Sequence, residues 1–172
     1  MRLLITHYYK YLAYHIEYNI TQFNCRTRSM SKITRTFLMI KPDGVRRKLA
    51  GKIIDRFENA NIEIITMKML DVSEKLAKKH YVEHEGKDFF ENLLNFITSG
   101  PSIAMVLEGI DIVSEVRRLV GATNPAEAEP GTIRGDLREE PVKSVTENMV
   151  HASDSDEAAK REITLFFGKH FL

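Results

Sequence analysis

Apolar residues along this chain recur with two different periods, and each switch between them marks an element. "RTFLMIKP" (35–42) is a continuous apolar run stopped by Pro42, which predicts a buried strand. In "GKIIDRFENANI", Ile53, Ile54 and Phe57 share one face of a helix that follows Gly51. "IEIITMKML" (62–70) is β-branched and apolar and predicts a second strand. Ser73 then caps a helix with Leu76, Ala77, His80 and Tyr81 at helical spacing. "FFENLLNFITSG" repeats that spacing through Phe89, Phe90, Leu93, Leu94 and Ile97, with Gly100 as its stop. "SIAMVLEG" (102–109) predicts a third strand, and "DIVSEVRRLVG" a further helix from an Asp111 cap to Gly121. "SDSDE" opens a last helix near residue 154, with Ser153 or Asp154 as the cap and Asp154 and Glu157 as a capping box. That helix runs toward "ITLFF", which reads as the fourth strand. Strands and helices alternate, so the pattern predicts an α/β or α+β sandwich with one sheet covered by helices. Between Gly121 and Asn148 the period lapses and "NP", "PG" and "RG" punctuate the chain. Segments that long in a compact domain usually serve function or move.

Composition changes this picture in one place. The 172 residues are 43% hydrophobic and 28% charged with net charge +1, which is ordinary for a globular protein and demands neither nucleic acid nor an acidic membrane as partner. Cys25 is the only cysteine, which excludes an internal disulfide framework and fits a reducing compartment. No apolar run reaches the length of a membrane span. Residues 1–29, however, hold five of the six tyrosines and four Lys/Arg against one acid. Residues 30–172 hold 21 basic and 23 acidic side chains, a net of −2. We expect 1–29 to be an N-terminal extension, disordered or absent from the mature protein, with Met30 as the start, ahead of a transit peptide or a docked tail. Residues 30–172 are expected to form one folded domain.

The chemistry-bearing residues gather around "ENMVHASDS", where His151 precedes the last helix start. Free N–H groups and a partial positive charge at a helix N-terminus suit phosphate, so His151 stands beside an anion-friendly place. "GVRRKLAGK" has the outline of a Walker A loop, but Gly44 and Gly51 are too far apart and Ile53 replaces the magnesium-holding Ser/Thr. "HYVEH" (80–84) matches a zinc-peptidase pattern in which two histidines bind metal, yet three fixed letters in a charged helix suit one packed and one solvated histidine better. Lys41 ends a buried strand, Arg117 borders an apolar stripe, and Arg134 lies between Gly131 and Gly135. Singly each reads as structural or exposed; together they can gather cations around a triphosphate.

"TRTFLMIKPDGVRR", "HYVEH…FFENLLNFITSGP", "MVLEG", "GATNPAEAEPGTIRGD" and "ENMVHASDS" resemble nucleoside diphosphate kinases in order and spacing, from about residue 34 to 168. The resemblance implies a ferredoxin-like α+β sandwich, four antiparallel strands in β-α-β-β-α-β order, with a helical hairpin inserted after the second strand. It implies ping-pong transfer of a γ-phosphate from a nucleoside triphosphate such as ATP to a nucleoside diphosphate through a phosphohistidine on His151. Lys41, Tyr81, Arg117, Thr123, Arg134 and Asn148 would contact phosphates, ribose or the transferring group; Phe89 would stack on the base, Leu93 would line that shelf, and Ser153 and Glu162 would support His151. It further implies Mg²⁺ on the nucleotide phosphates rather than on protein side chains, a cytoplasmic hexamer or tetramer of identical chains, and no need of nucleic acid or membrane. "LREEPVKSVTE", between Asp136 and Asn148, is a few residues longer than in common members, which leaves that loop's path open.

Elementary chemistry agrees with these roles. A phosphohistidine needs one neutral imidazole nitrogen aimed at phosphorus and the other held by an acceptor, which Glu162 can supply from within the last helix. Phosphoryl transfer otherwise asks for cations and positioning, and an aromatic shelf grips any base face without reading its edge. A catalytically silent nucleotide-binding relative would have lost His151 or Lys41, and neither is lost. A zinc-dependent hydrolase built on "HYVEH" would need a third ligand. An RNA-binding module of similar layout would show aromatic stretches on its central strands, and "TFLMIKPD" and "SIAMVLEG" lack them.

Overall fold

The computed structural model describes residues 33–172; the leader 1–29 and the start at Met30 lie outside the described residues. The elements follow in the order β1 (Ile33–Ile40), α1 (Pro42–Arg46), α2 (Ala50–Asn59), β2 (Glu63–Asp71), α3 (Glu74–His80), α4 (Phe90–Ile97), β3 (Pro101–Ile110), α5 (Ile112–Val120), α6 (Ile133–Leu137), β4 (Val150–Ala152) and α7 (Asp156–Phe167). Short 3₁₀ turns lie at Val82–His84, Pro125–Glu127 and Lys169–Phe171. The strands form one antiparallel sheet in the order β2-β3-β1-β4. That order and the helical covering make it the ferredoxin-like α+β sandwich, with α3 and α4 as the hairpin inserted after β2.

The unbroken apolar runs of β1 and β3 have a simple cause: both faces of the sheet are covered. Leu38 and Ile40 face one core with Met105, Leu107, the α2 residues Ile53 and Phe57, and the α5 residues Val116 and Val120. Phe37 and Met39 face a second core with Ala104, Val106, the hairpin residues Leu94 and Ile97, and Ile163 and Phe166 of α7. A strand buried on both sides loses its polar alternation.

Several expectations need correction. "ITLFF" is not a strand; it forms the last turns of α7, where Ala159, Glu162, Ile163 and Phe166 are buried at helical spacing. Short apolar runs look alike in either state, and here the helix period decides. The fourth strand is the three-residue β4, which contains His151. Ser155 caps α7, accepting from the Ala158 N–H, so neither Ser153 nor Asp154 is the cap and the Asp154–Glu157 box does not form. Ser153 is drawn off to Glu162 instead. Helix α4 ends at Thr98 rather than Gly100, and Asp111 precedes α5 in a left-handed conformation without a side-chain capping bond.

Candidate active site

The centre is built where β1 and β4 run side by side. Register places His151 opposite Met39, while β1 ends and delivers Lys41 directly before the Pro42 of α1. Lys41 N–H donates to Met149 O, which fixes the strand end against the chain leading into β4. Met149 itself has φ 69°, and its N–H is held at 2.9 Å by buried Asp43.

His151 sits half-buried with Nε2 3.0 Å from Glu162 Oε2. The Ser153 hydroxyl donates to the same oxygen at 2.6 Å. Glu162 is 2% exposed, so this carboxylate is held rigidly by the helix that buries it. An acceptor on Nε2 sets the tautomer: the proton resides there, and Nδ1 keeps its lone pair.

Positive charge lies on the opposite wall. Lys41 Nζ donates to Asn148 Oδ1 at 2.9 Å and to Thr146 O at 3.2 Å, and Asn148 Nδ2 reaches Thr123 O at 2.9 Å. Burial first, then Arg134, pushes the Lys41 ammonium down to about 7 against the pull of Asp43. Arg134, on α6, donates to four carbonyls: Gly121, Ala122, Asn148 and Val150. It therefore rivets the long segment to β4, and of a guanidinium's five N–H groups about one remains. Burial and then Arg117 lower it to about 10. The α6 approach depends on Gly135, where a Cβ would stand 2.0 Å from Glu129 O, and on Gly121, whose φ of 85° favours glycine.

Lys41, Tyr81, Phe89, Leu93, Arg117, Thr123, Arg134, Asn148, His151 and Glu162 line one cleft of about 540 Å³. Ser153 lies behind it, buried, and acts on Glu162. Phe89 is 47% exposed at the start of α4, one turn from buried Leu93, with Lys87 Nζ 5.7 Å from its ring centroid. Tyr81 is buried with its hydroxyl unpaired in the described structure, and burial pushes its pKa up. Arg117 and Thr123 are exposed at the rim. A flat aromatic shelf, a cluster of cations and one restrained histidine suit a nucleotide with its phosphates toward His151.

A family model described as "Nucleoside diphosphate kinase" matches residues 34–171. The chain belongs to the nucleoside diphosphate kinase family. It is 56% identical over 133 residues to the nucleoside diphosphate kinase of Methanocaldococcus jannaschii, covering 77% of this chain and 92% of that one. The Saccharolobus islandicus enzyme is 55% identical over 135 residues, covering 78% and 95%. Among solved structures, the nucleoside diphosphate kinase of Halobacterium salinarum in complex with CDP has a TM-score of 0.74 at 47% identity, covering 79% of this chain and 88% of that one. That of Encephalitozoon cuniculi has a TM-score of 0.76 at 39% identity, covering 81% and 92%. The activity that goes with the family is phosphate transfer between nucleotides, so this nucleoside diphosphate kinase is a phosphotransferase.

The zinc-peptidase reading of "HYVEH" does not assemble. Helix α3 ends at His80 and His84 belongs to a 3₁₀ turn, so the pair is not on one continuous helix. His80 is the packed histidine and half-buried His84 lines the cleft beside Phe89. Sequence reasoning missed Val145 and Thr146, which come from the longer segment and wall the cleft, and Asp43, which holds Met149. Asp43 stands next to Pro42 in "KPDG", where an acid before a glycine looks like ordinary turn chemistry.

Proposed function

We propose that this chain moves the γ-phosphate of a nucleoside triphosphate to a nucleoside diphosphate in two half-reactions, with phosphate parked on His151 Nδ1. The Nε2 contact with Glu162 is the observation that supports it, because it leaves the other nitrogen's electron pair for phosphorus. In the first half-reaction Nδ1 forms a bond to the γ-phosphorus, the bridging P–O bond breaks, and the nucleoside diphosphate leaves with the electron pair. The imidazole gains positive charge, which Glu162 offsets across the shared Nε2 proton. In the second half-reaction a terminal oxygen of the acceptor diphosphate attacks, and the P–N bond breaks.

Lys41, Arg117, Arg134, Tyr81 and Asn148 are assigned to the phosphates, ribose or transferring group, Thr123 to the same wall, and Phe89 with Leu93 to the base. Their common lining of one cleft supports that assignment. Mg²⁺ would ride on the nucleotide's own oxygens and neutralise phosphate charge, as befits a hard cation that prefers phosphate oxygens to a protein cage. Exposed Met67 and Met69 on edge strand β2 support assembly of several identical chains, as a hexamer or tetramer. From the family resemblance we assign the enzyme to the cytoplasm. Among the described residues no helix is long and apolar enough to cross a membrane.

The test is to incubate protein with γ-labelled ATP, isolate it, and add GDP. Label should attach to protein, be lost in acid, survive base, and pass to GDP. Acid-stable label, or full transfer by His151→Ala, overturns the assignment.

A further inference from the structure

His80 is the least expected side chain near this centre. It is 2% exposed, and neither ring nitrogen has a hydrogen-bond partner in the described structure. Buried polar atoms are nearly always paired, so two orphans on one ring need a reason. The ring lies edge-on to His151 at 4.5 Å between centroids, and its Nδ1 is 4.0 Å from Glu162 Oε1. A buried ring with no hydrogen-bond partner on either nitrogen is disfavoured as a cation, and the neutral ring has one free lone pair.

We infer that His80, His151 and Glu162 form a binding site for a zinc-class divalent ion, and that the ion and the phosphate on His151 exclude one another. One ligand atom from each residue lies within 4.8 Å of the others, the only such group of three among the described residues. Two imidazoles and a carboxylate, with His151 and Glu162 lining the cleft, are a zinc donor set, whereas magnesium prefers oxygen throughout. Bonds to zinc of about 2.0–2.1 Å require the three groups to draw together; His151 is half-buried, whereas His80 and Glu162 are buried. Arg161, 3.5 Å from Glu162 Oε1, must yield that contact while keeping Glu83 at 2.9 Å.

The exclusion follows from proton count and rests on the phosphohistidine reading. A neutral imidazole has one N–H. When Nε2 binds the ion in place of its contact with Glu162, the proton moves to Nδ1, and the nucleophilic lone pair is gone. When Nδ1 bears phosphate, Nε2 keeps its proton for Glu162 and has nothing to offer the ion. By reciprocity each ligand weakens the other.

Cobalt(II), a spectroscopic stand-in for zinc, tests this on the full chain. Metal-free protein should take up one cobalt per chain and develop the intense visible band of a four-coordinate ion. Protein first phosphorylated with ATP and freed of nucleotide should not. His80→Phe, which keeps a ring among Phe37, Tyr81 and Phe166, and His80→Gln should both lose the band. Zinc added before ATP should slow the first labelling of wild type about tenfold or more, a common scale for coupled ligands, and chelation should restore it. Absence of the band, its survival in folded His80 variants, or equal cobalt uptake by phosphorylated protein overturns the inference. So does equal zinc inhibition of wild type and His80→Phe, since the ion would then act on the nucleotide. Failure of zinc-free protein to label with ATP and Mg²⁺ would instead count against the phosphohistidine itself.

Discussion

At the scale of single residues the site is an arrangement of orientation and charge. His151→Ala should abolish labelling. Lys41→Ala and Arg134→Ala should each slow transfer by about one to several powers of ten, the usual result of removing a charged transition-state contact. Glu162→Gln should cost less, because it removes orientation and charge support and spares the nucleophile. Steady-state and single-turnover kinetics on the same variants give the ranking; full inactivity of Glu162→Gln beside a normal Lys41→Ala would reverse these roles. Lys41 also gives a pH signature. The unfolded chain keeps this proton to the ordinary value of 10.5, so ligand-free protein gains stability from Lys41 as pH rises from about 7. Phosphate binding favours the ammonium, so at a pH about one unit above that value nucleotide should bind with proton uptake. Calorimetry in buffers of different ionisation enthalpy measures the uptake, which Lys41→Met should lose. The residues named for the cleft were legible because "KPDG", "GTIRGD" and "NMVHASDS" are distinctive. What Arg134 does with its donors was not: four carbonyls from two distant segments converge on it only after folding.

At the scale of elements, α7 shows how adjacent serines take different work. Ser155 caps the helix through the Ala158 N–H, while Ser153 donates to Glu162 two turns along. Ser155→Ala should therefore destabilise the fold by about 1 kcal/mol, seen as a melting temperature lower by a few degrees, with labelling intact. Ser153→Ala should do the reverse, slowing phosphorylation with a smaller effect on melting. Thermal scans and initial labelling rates on the two variants separate the roles, and equal behaviour of the pair would contradict them. Composition cannot tell these serines apart, since both sit in a run of small and acidic residues that favours a helix start. The decision comes from β4: pairing through Ala152 carries Ser153 into the interior beside Phe37, where its hydroxyl meets the buried carboxylate. The same pairing explains the misread fourth strand. Three residues are too few to leave a period, whereas "ITLFF" is apolar enough to suggest one.

At the scale of the molecule, every cleft-lining residue among the described residues lies at position 41 or beyond, and β1 starts at Ile33. A chain beginning at Met30 should therefore fold, assemble and turn over like the full chain. Light scattering, melting and the label-transfer assay compare the two; loss of assembly or a melting point several degrees lower would make 1–29 structural. What the amino-acid order determined by itself was local and repetitive: the runs of β1 and β3, the faces of α2, α4 and α5, the Ser73 cap, and motifs specific enough to name a family. These are legible because period and turn chemistry act over neighbours a few residues apart. Tertiary structure alone decided which short segment became the fourth strand and which serine capped α7. It also decided how Arg134 was spent and that His80 would stand unpaired behind His151. Those outcomes depend on contacts between residues some 9 to 116 positions apart, such as Ser153 with Glu162 and with Phe37. A one-dimensional pattern has no term for such contacts, because their free energy exists only once the sheet has brought the partners together.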